Sequence, residues 1–252
     1  MENALRDIHQ NEVSASGCAD GGSILISVVI PAFNESESLE SLHAECVAAC
    51  ERCISETPSN FEIIVVDDGS TDETPEVCAG LSPLRYVRLD KNLGQSAALD
   101  RGFAVAQGTY VAALDADGQN DPADIPALLA YLEASGLDCV CGWRVHRHDP
   151  LGKRIASRGA YVLRQLLVRD GIHDSGCTLK VFRRECLERL RLADGQHRFI
   201  PALLKSKGFS VGEVPVNHRP RLHGTSKYGP SRMRDGLRDL IALRASIRKT
   251  RA

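Results

Sequence analysis

The chain has 252 residues, of which 43% are hydrophobic and 25% are charged, as in an ordinary soluble globular protein. This length suits one large domain with a full-sized core. No apolar run reaches the roughly 20 residues that span a bilayer, and residues 1–23 lack the basic-then-apolar order of a signal peptide. We therefore expect a cytoplasmic protein, neither membrane-spanning nor secreted.

The net charge of −2 conceals a strong asymmetry along the chain. Residues 1–100 carry 18 acidic and 5 basic side chains, whereas residues 219–252 carry 10 Lys or Arg and 2 acids. Between 142 and 169 there are 7 Lys or Arg and one acid. The second half is therefore suited to anions such as phosphates or an anionic membrane surface. Nucleic acid is disfavoured as a partner, because only 5% of the residues are aromatic and the basic patches lack the interleaved aromatics of stacking platforms.

Strands and helices are predicted to alternate along the chain. Residues 1–23 are polar and rich in Gly and Ser, which indicates a flexible tail. The run "ILISVVIPAF" predicts a buried strand ended by Pro31, and the next segment predicts a helix with Asn34 as its N-cap. Further strands are predicted in "FEIIVVDD", "LRYVRLD", "TYVAALDAD" and "LDCVCGW", and further helices in "GQSAALDRGFAVAQ", "DPADIPALLAYLEAS" and "GAYVLRQLLV".

Alternation of this kind, with strands that are apolar on both faces, predicts an α/β fold with a mostly parallel sheet flanked by helices. Ligands of such sheets bind beyond the carboxyl ends of the strands. Three polar clusters follow strands there, "PAFNE", "DDGSTD" and "DADGQ", and we expect them to face one crevice. The nine cysteines form no CxxC pair, which favours reduced and mostly buried thiols over a zinc site.

The stretch "LDADGQNDP" crowds Asp115, Asp117, Gln119 and Asp121 directly behind an apolar run. Taken alone it is a polar turn as readily as a metal site. Three acidic clusters at successive strand ends favour a hard cation such as Mg²⁺ or Mn²⁺, which prefers oxygen ligands and is often completed by substrate phosphates. Asp121, directly before Pro122, is predicted to cap the next helix.

The motifs "SVVIPAFNE", "IIVVDDGSTDET", "NLGQSAALDRGF", "LDADGQNDP" and "HRPRLHGTSKYG" resemble, in this order, the inverting GT-A glycosyltransferases of family 2. The resemblance is strongest to the branch of dolichyl-phosphate mannose synthases and bacterial polyprenyl-phosphate glycosyltransferases. It covers about Ile24 to Leu243. It implies a single Rossmann-like GT-A domain at 24–225, preceded by the tail and followed by a basic amphipathic segment at 226–252.

The resemblance also implies roles for matching residues. A sugar nucleotide is held by Pro31, Phe33, Glu35, Asp67 and Asp68, and its diphosphate by Asp115, Arg221 and Lys227. The divalent cation, Mg²⁺ or Mn²⁺, is bound by Asp115, Asp117 and Gln119. The acceptor phosphate is received by Arg144, Lys153, Arg154 and Ser157, while Arg147, Arg158, Arg164 and Arg169 remain surface charges.

The acceptor decides which catalytic groups are needed. A sugar hydroxyl requires a carboxylate base, whereas a lipid phosphate, with a second pKa near 6, is already largely deprotonated at neutral pH. The basic stretch after Gly142 favours a phosphate nucleophile positioned by forked Arg side chains. Asp117, Arg144 and Asp174 are the catalytic candidates. Asp174 is either a structural or acceptor-positioning residue or a general base, and His173 is more simply a loop residue.

The predicted function is metal-dependent sugar transfer from GDP-mannose or a UDP-sugar to a polyprenyl phosphate, dolichyl or undecaprenyl. Two alternatives remain: transfer to a hydroxyl of a saccharide or small molecule, and a catalytically silent nucleotide-sugar-binding subunit. The last segment places Met233, Leu237, Leu240, Ile241 and Ile247 along one side, among arginines. It either packs on the domain or lies on an anionic membrane surface. We expect a peripheral protein on the cytoplasmic face, with the membrane or a membrane protein as its partner.

Overall fold

The computed structural model describes residues 23–54, 60–145, 163–168, 170–220, 240 and 243–244. Short 3₁₀ turns lie at Pro122–Asp124 and Gln196–Phe199, and residues 163–167 are helical. The strands and the other helices are β1 (Ile24–Ala32), α1 (Ser36–Ile54), β2 (Asn60–Asp67), α2 (Thr74–Ala79), β3 (Arg85–Arg88), α3 (Gln95–Val105), β4 (Tyr110–Ala113), α4 (Ile125–Ser135), β5 (Cys139–Trp143), β6 (Lys180–Arg183), α5 (Arg184–Glu188), α6 (Ile200–Ser206) and β7 (Val211–Pro215).

The strands form one sheet in the order β3-β2-β1-β4-β6-β5-β7. Every neighbouring pair is parallel except those that involve β6, which runs antiparallel to β4 and β5. The predicted mostly parallel sheet is therefore confirmed. The reversal of β6 has a consequence for the site, because the loop that leads into β6 lies at the edge where β4 and β5 end.

Two apolar layers cover the sheet, one on each face. Alternate residues of β1 point to opposite faces, so that Val28 belongs to the layer that contains α1, α2 and α4, whereas Val29 belongs to the layer that contains α3, α5 and α6. Leu240 and Leu243 are buried in the second layer. These two residues of the C-terminal segment therefore pack on the domain. In the part of the chain that the structure describes, no helix is both long and apolar enough to cross a membrane.

The sequence predicted reduced and mostly buried cysteines. All eight described cysteines are free thiols and only Cys53 is partly exposed, as predicted. Burial raises the pKa of Cys46 to about 12, which keeps this thiol protonated at neutral pH.

The prediction that Asn34 caps α1 is wrong. Its carboxamide accepts a hydrogen bond from the amide of Thr71, while Asp72 accepts one from the first helical residue, Ser36.

Close contact between α3 and the sheet depends on Gly102. A Cβ at this position would overlap Cγ1 of Val29 and lie 3.2 Å from Cγ2 of Val66. We expect Gly102→Ala to lower the free energy of unfolding by about 1–2 kcal/mol, because overpacking a filled core costs more than alanine gains in helix propensity. Gly80→Ala is the matched control, since the nearest atom is 3.5 Å away. Urea denaturation measures both, and equal stability of the two variants would contradict this account.

Candidate functional site

A cleft of about 360 Å³ lies at the carboxyl edge of the sheet. Its walls come from the loops after β1, β2, β3 and β4, from the start of α3, from the residue after β5 and from the loop that enters β6. The structure thus brings the three predicted polar clusters together at one edge. The predicted site residues that line this cleft are Pro31, Phe33, Glu35, Asp68, Asp115, Asp117, Gln119 and Arg144.

The two neighbouring aspartates after β2 have different surroundings. Asp67 is fully buried and does not line the cleft, because its carboxylate accepts hydrogen bonds from the amide of Ser70 at 2.8 Å and from the hydroxyl of Tyr86 at 2.5 Å. Asp68 lines the cleft and accepts hydrogen bonds from the amides of Leu93 and Gly94 at 2.7 and 2.8 Å. Asp67 therefore shapes the loop, and Asp68 joins the cleft wall to the segment that begins α3.

Asp115 is oriented by side chains from two distant segments. Oδ1 accepts a hydrogen bond from Gln95 Nε2 at 2.6 Å, and Oδ2 accepts one from the hydroxyl of Thr178 at 2.7 Å. Loss of hydration and the charge of Asp117 raise the pKa of Asp115, and the Thr178 hydrogen bond together with the charge of Lys180 opposes this rise. Two carboxylates are thus crowded at one point of the cleft, which a cation would relieve.

The segment after β4, residues 115–121, which we call the acidic loop, has a donor set that fits a hard divalent cation. Asp115 and Asp117 supply carboxylate oxygens and Gln119 an amide oxygen, all lining the same cleft. Each carboxylate oxygen carries more than one lone pair, so the hydrogen bonds to Asp115, and the one from the amide of Gln119 to Asp117 at 3.1 Å, are compatible with a bound cation. In the described ranges no cluster of three His, Cys, Asp or Glu side chains could hold a metal alone. Phosphate oxygens of a donor would have to complete the coordination shell.

Asp121 lies outside this donor set, as predicted. Its carboxylate accepts a hydrogen bond from the amide of Ala123 at 2.9 Å, which caps the turn before α4. It also forms an ion pair with Arg219 at 2.7 Å, and the amide of Arg219 donates to the carbonyl of Gln119 at 2.9 Å. The segment that begins "RPRLHGTSKYG" is therefore attached to the acidic loop at its first residue.

Arg144, which lines the cleft, forms a forked ion pair with Asp174. Nε of Arg144 donates to Oδ2 of Asp174 at 2.7 Å and Nη2 donates to Oδ1 at 2.9 Å. Only 14% and 8% of the two side chains are exposed. Burial opposes the charge of Arg144, but the hydrogen bonds and charge of Asp174 prevail and raise its pKa. One edge of the guanidinium is thus fixed by Asp174, while in the described structure Nη1 makes no hydrogen bond.

The loop that carries Asp174 is held by residues that the sequence did not point to. Glu213 of β7 accepts hydrogen bonds from the amides of His173 and Asp174 at 2.7 and 2.9 Å, and from Nδ1 of His173 at 2.9 Å. The His173 ring also stacks on Trp143 with centroids 4.6 Å apart. Arg164, predicted as a surface charge, is instead buried and donates to Ser175 and to the carbonyl of Ile172. That prediction is wrong, because Arg164 anchors this loop.

Five of the predicted phosphate-binding residues belong to parts of the chain that the structure does not describe. Lys153, Arg154 and Ser157, predicted for the acceptor phosphate, and Arg221 and Lys227, predicted for the donor phosphates, lie outside the described residues. Gln95, Thr178, Lys180 and Glu213 contribute to the site or its support and were missed. Gln95 lies in the quoted motif "NLGQSAALDRGF" but was given no role, and no quoted motif marks the other three. The antiparallel strand β6 alone brings the loop before Lys180 to the same edge as the predicted clusters.

Comparison with known proteins gives a consistent family and fold. The profile of Glycosyl transferase family 2 matches residues 27–191. A dodecaprenyl-phosphate galacturonate synthase of Rhizobium johnstonii is 40% identical over 88% of this chain and 67% of that protein. An undecaprenyl-phosphate 4-deoxy-4-formamido-L-arabinose transferase of Pseudomonas savastanoi is 38% identical over 86% of this chain and 64% of that protein. The chain therefore spans about two thirds of the length of these relatives.

Solved structures with the same fold include two sugar transferases. Glucosyl-3-phosphoglycerate synthase from Mycobacterium tuberculosis, in complex with Mg²⁺ and UDP, gives a TM-score of 0.68 at 23% identity over 89% of this chain and 79% of that chain. Mannosyl-3-phosphoglycerate synthase from Rubrobacter xylanophilus gives 0.64 at 20% identity over 88% of this chain and 74% of that chain. At such identities the likeness establishes the fold alone.

Proposed function

Because the chain belongs to glycosyl transferase family 2 and has the GT-A fold, we propose that it transfers a sugar from a nucleotide-diphosphate sugar to a polyprenyl phosphate, with inversion at the anomeric carbon. The choice of a phosphate acceptor rests on the guanidinium of Arg144 in the cleft. Asp174 binds its Nε and Nη2, which leaves Nη1 to donate hydrogen bonds to a ligand. Both relatives named above act, by their names, with polyprenyl phosphates.

A phosphate nucleophile agrees with the state of Asp174. Both of its carboxylate oxygens already accept hydrogen bonds from Arg144, so the carboxylate is committed to holding a cation in place. A hydroxyl acceptor would need a base that can take a proton. A phosphate monoester, already largely deprotonated at neutral pH, needs cations that position it instead. Of the two roles predicted for Asp174, this arrangement supports positioning of the acceptor through Arg144.

The donor side of the proposal places the nucleoside beside Pro31, Phe33, Glu35 and Asp68 and its diphosphate beside the acidic loop. Asp115, Asp117 and Gln119 are the residues that would hold Mg²⁺ or Mn²⁺ between them and the diphosphate. A bound divalent cation supplies charge neutralisation for the departing nucleoside diphosphate. The side chains of Gln95 and Thr178 keep Asp115 in its orientation before the donor arrives.

The proposed acceptor implies that the enzyme acts at a membrane surface. A polyprenyl phosphate is anchored in a membrane by its chain, so the enzyme must meet it at the surface. We propose peripheral binding to the cytoplasmic face through an anionic membrane surface or a membrane-protein partner. The excess of 8 basic over acidic side chains in residues 219–252, from 10 Lys or Arg and 2 acids, supports such binding.

A matrix of nucleotide sugars against undecaprenyl phosphate tests the function. GDP-mannose, UDP-hexoses and UDP-hexuronates are supplied with Mg²⁺ or Mn²⁺, and the lipid product is identified by mass. We expect one sugar-phosphate lipid to form, and only with a divalent cation. Product formed with saccharide hydroxyls but never with the lipid phosphate would assign the alternative acceptor. Donor-dependent thermal stabilisation without any product would indicate a silent binding subunit.

A further inference from the structure

A second, smaller cavity opens from the cleft beside Asp115. It measures about 90 Å³, a quarter of the cleft's about 360 Å³. The two share Gln95, Asp115 and Gly176 as lining residues, so that they meet at this point. The small cavity, which we call the inner cavity, is further lined by Thr178, Lys180, His197 and Arg198.

The cationic side chains of the inner cavity differ in their surroundings. Lys180 is 2% exposed and its ammonium group donates to the carbonyls of Cys177 and Ser175, so that its charge is fixed in the cavity floor. Arg198 is half-buried, and among the described residues it makes no hydrogen bond or ion pair. The N–H groups of its guanidinium are therefore available to a ligand at a half-buried position.

No carboxylate of the inner cavity is placed to satisfy Arg198. Asp115 is the only acidic residue among the described lining residues, and its two oxygens already accept from Gln95 and Thr178. The inner cavity thus has two cationic side chains, Lys180 and Arg198, and one carboxylate whose oxygens already accept hydrogen bonds. The cavity is positive, and a ligand that enters it without an anionic group would leave the donors of Arg198 unpaired at a cost.

The position of the inner cavity identifies which part of the donor it can receive. This step rests on the function proposed above, in which the donor diphosphate lies beside the acidic loop. The sugar is bonded directly to the second phosphate of the donor. Its ring therefore lies next to the phosphate that is placed beside Asp115. The inner cavity adjoins Asp115 but contains neither Asp117 nor Gln119. It therefore lies beyond the diphosphate and on the side available to the sugar.

We propose that Arg198 binds a carboxylate on the transferred sugar, so that the donor is a nucleotide-activated uronic acid. A carboxylate matches the planar fork of a guanidinium and can pair with it through two parallel hydrogen bonds. Gln95 and Thr178 already donate to the two oxygens of Asp115, which leaves the Arg198 guanidinium available to the ligand. Arg198 is thus a specificity-determining residue.

The test compares donors that differ only in oxidation at C6. UDP-galacturonate is paired with UDP-galactose and UDP-glucuronate with UDP-glucose, with undecaprenyl phosphate as acceptor and Mg²⁺ present. We expect the wild-type chain to prefer a uronate over its neutral partner by at least about 100-fold in kcat/KM, as for sites with a buried polar group built for one substituent. Arg198→Gln should lower that ratio to about 10-fold or less, chiefly through loss of uronate turnover, and Arg198→Lys should recover part of it.

Binding of the same four donors without acceptor, measured by calorimetry, separates this proposal from the proposed function. Arg189→Gln is the matched control, because Arg189 is exposed and lies outside both cavities. If the uronate preference in binding is lost in Arg198→Gln while no donor is ever transferred, the inference stands and the proposed function fails. If lipid product forms but neutral and uronate donors are used equally, or Arg198→Gln keeps the preference, the inference is overturned and transfer stands.

Discussion

Replacing Arg144 with alanine is expected to raise the KM for polyprenyl phosphate and to lower kcat/KM for this acceptor by roughly 100-fold or more, with little change in donor affinity. Each hydrogen bond to a charged group contributes about 1.5–3 kcal/mol, and two such bonds to a phosphate correspond to at least about 100-fold in rate. Arg144 lines the cleft with one edge of its guanidinium held by Asp174 and Nη1 available. Steady-state kinetics with varied acceptor and saturating donor measures the effect.

The buried ion pair makes the stability of this variant a necessary control. Removing one partner of a buried pair costs about 3–5 kcal/mol, because the remaining charge is left without compensation. Arg144→Lys keeps a positive charge beside Asp174 but lacks the planar guanidinium that can bind Asp174 and a phosphate at once. We therefore expect this variant to fold normally and still to lose affinity for the acceptor. Arg189→Ala, at an exposed position outside the cleft, should behave as wild type. An Arg144→Lys variant with unchanged acceptor kinetics would contradict the assignment.

Replacing Asp117 with asparagine is expected to abolish most metal-dependent turnover, with a loss of about 100- to 1,000-fold in kcat, comparable to removal of a principal electrostatic stabiliser. The fold should persist, because the asparagine Oδ1 can still accept the hydrogen bond from the amide of Gln119. The exchange removes one of the two carboxylates that would hold the cation. Turnover across a series of Mg²⁺ and Mn²⁺ concentrations, with thermal stabilisation by UDP plus metal, provides the measurement.

A neighbouring aspartate offers the control for this second experiment. Asp121→Asn changes a carboxylate four residues away, but its side chain caps a turn and pairs with Arg219 rather than facing the metal donors. We expect that variant to keep its cap, because asparagine caps a helix about as well as aspartate, to lose at most about 1 kcal/mol with the partly exposed ion pair to Arg219, and to keep its metal requirement. Full activity of Asp117→Asn, or loss of metal dependence in Asp121→Asn alone, would remove the metal role from Asp117.

Much of the fold was predictable because it follows from local patterns. Apolar runs of strand length with small polar loops behind them predict buried parallel strands, and parallel strands place their carboxyl ends at one edge. The order of the strands along the chain therefore suffices to predict that Glu35, Asp68 and Asp117 meet at one edge. The cap formed by Asp121 was predictable as well, because it involves only its own next residues.

Adjacent residues show where local patterns stop being sufficient. Asp67 and Asp68 were predicted to serve the donor together, yet Asp67 is buried against Tyr86 and only Asp68 lines the cleft. Successive side chains at the end of a strand point to opposite faces. Which of the two faces the ligand depends on how the neighbouring strand and loop pack. Asn34 illustrates the same limit, because its backbone φ of 56° directs it to another loop instead of to the helix.

The sequence by itself determined the alternating α/β architecture, the family resemblance and the polar clusters that end β1, β2 and β4, since each is written in consecutive residues. Only the tertiary structure decided how the site is held. Arg144 meets Asp174 across 30 positions, Asp115 meets Thr178 across 63, and Glu213 supports Asp174 across 39. These pairs form because β6 runs antiparallel and β7 adds beside β5, and strand pairing depends on the free energy of the whole sheet rather than on any short segment.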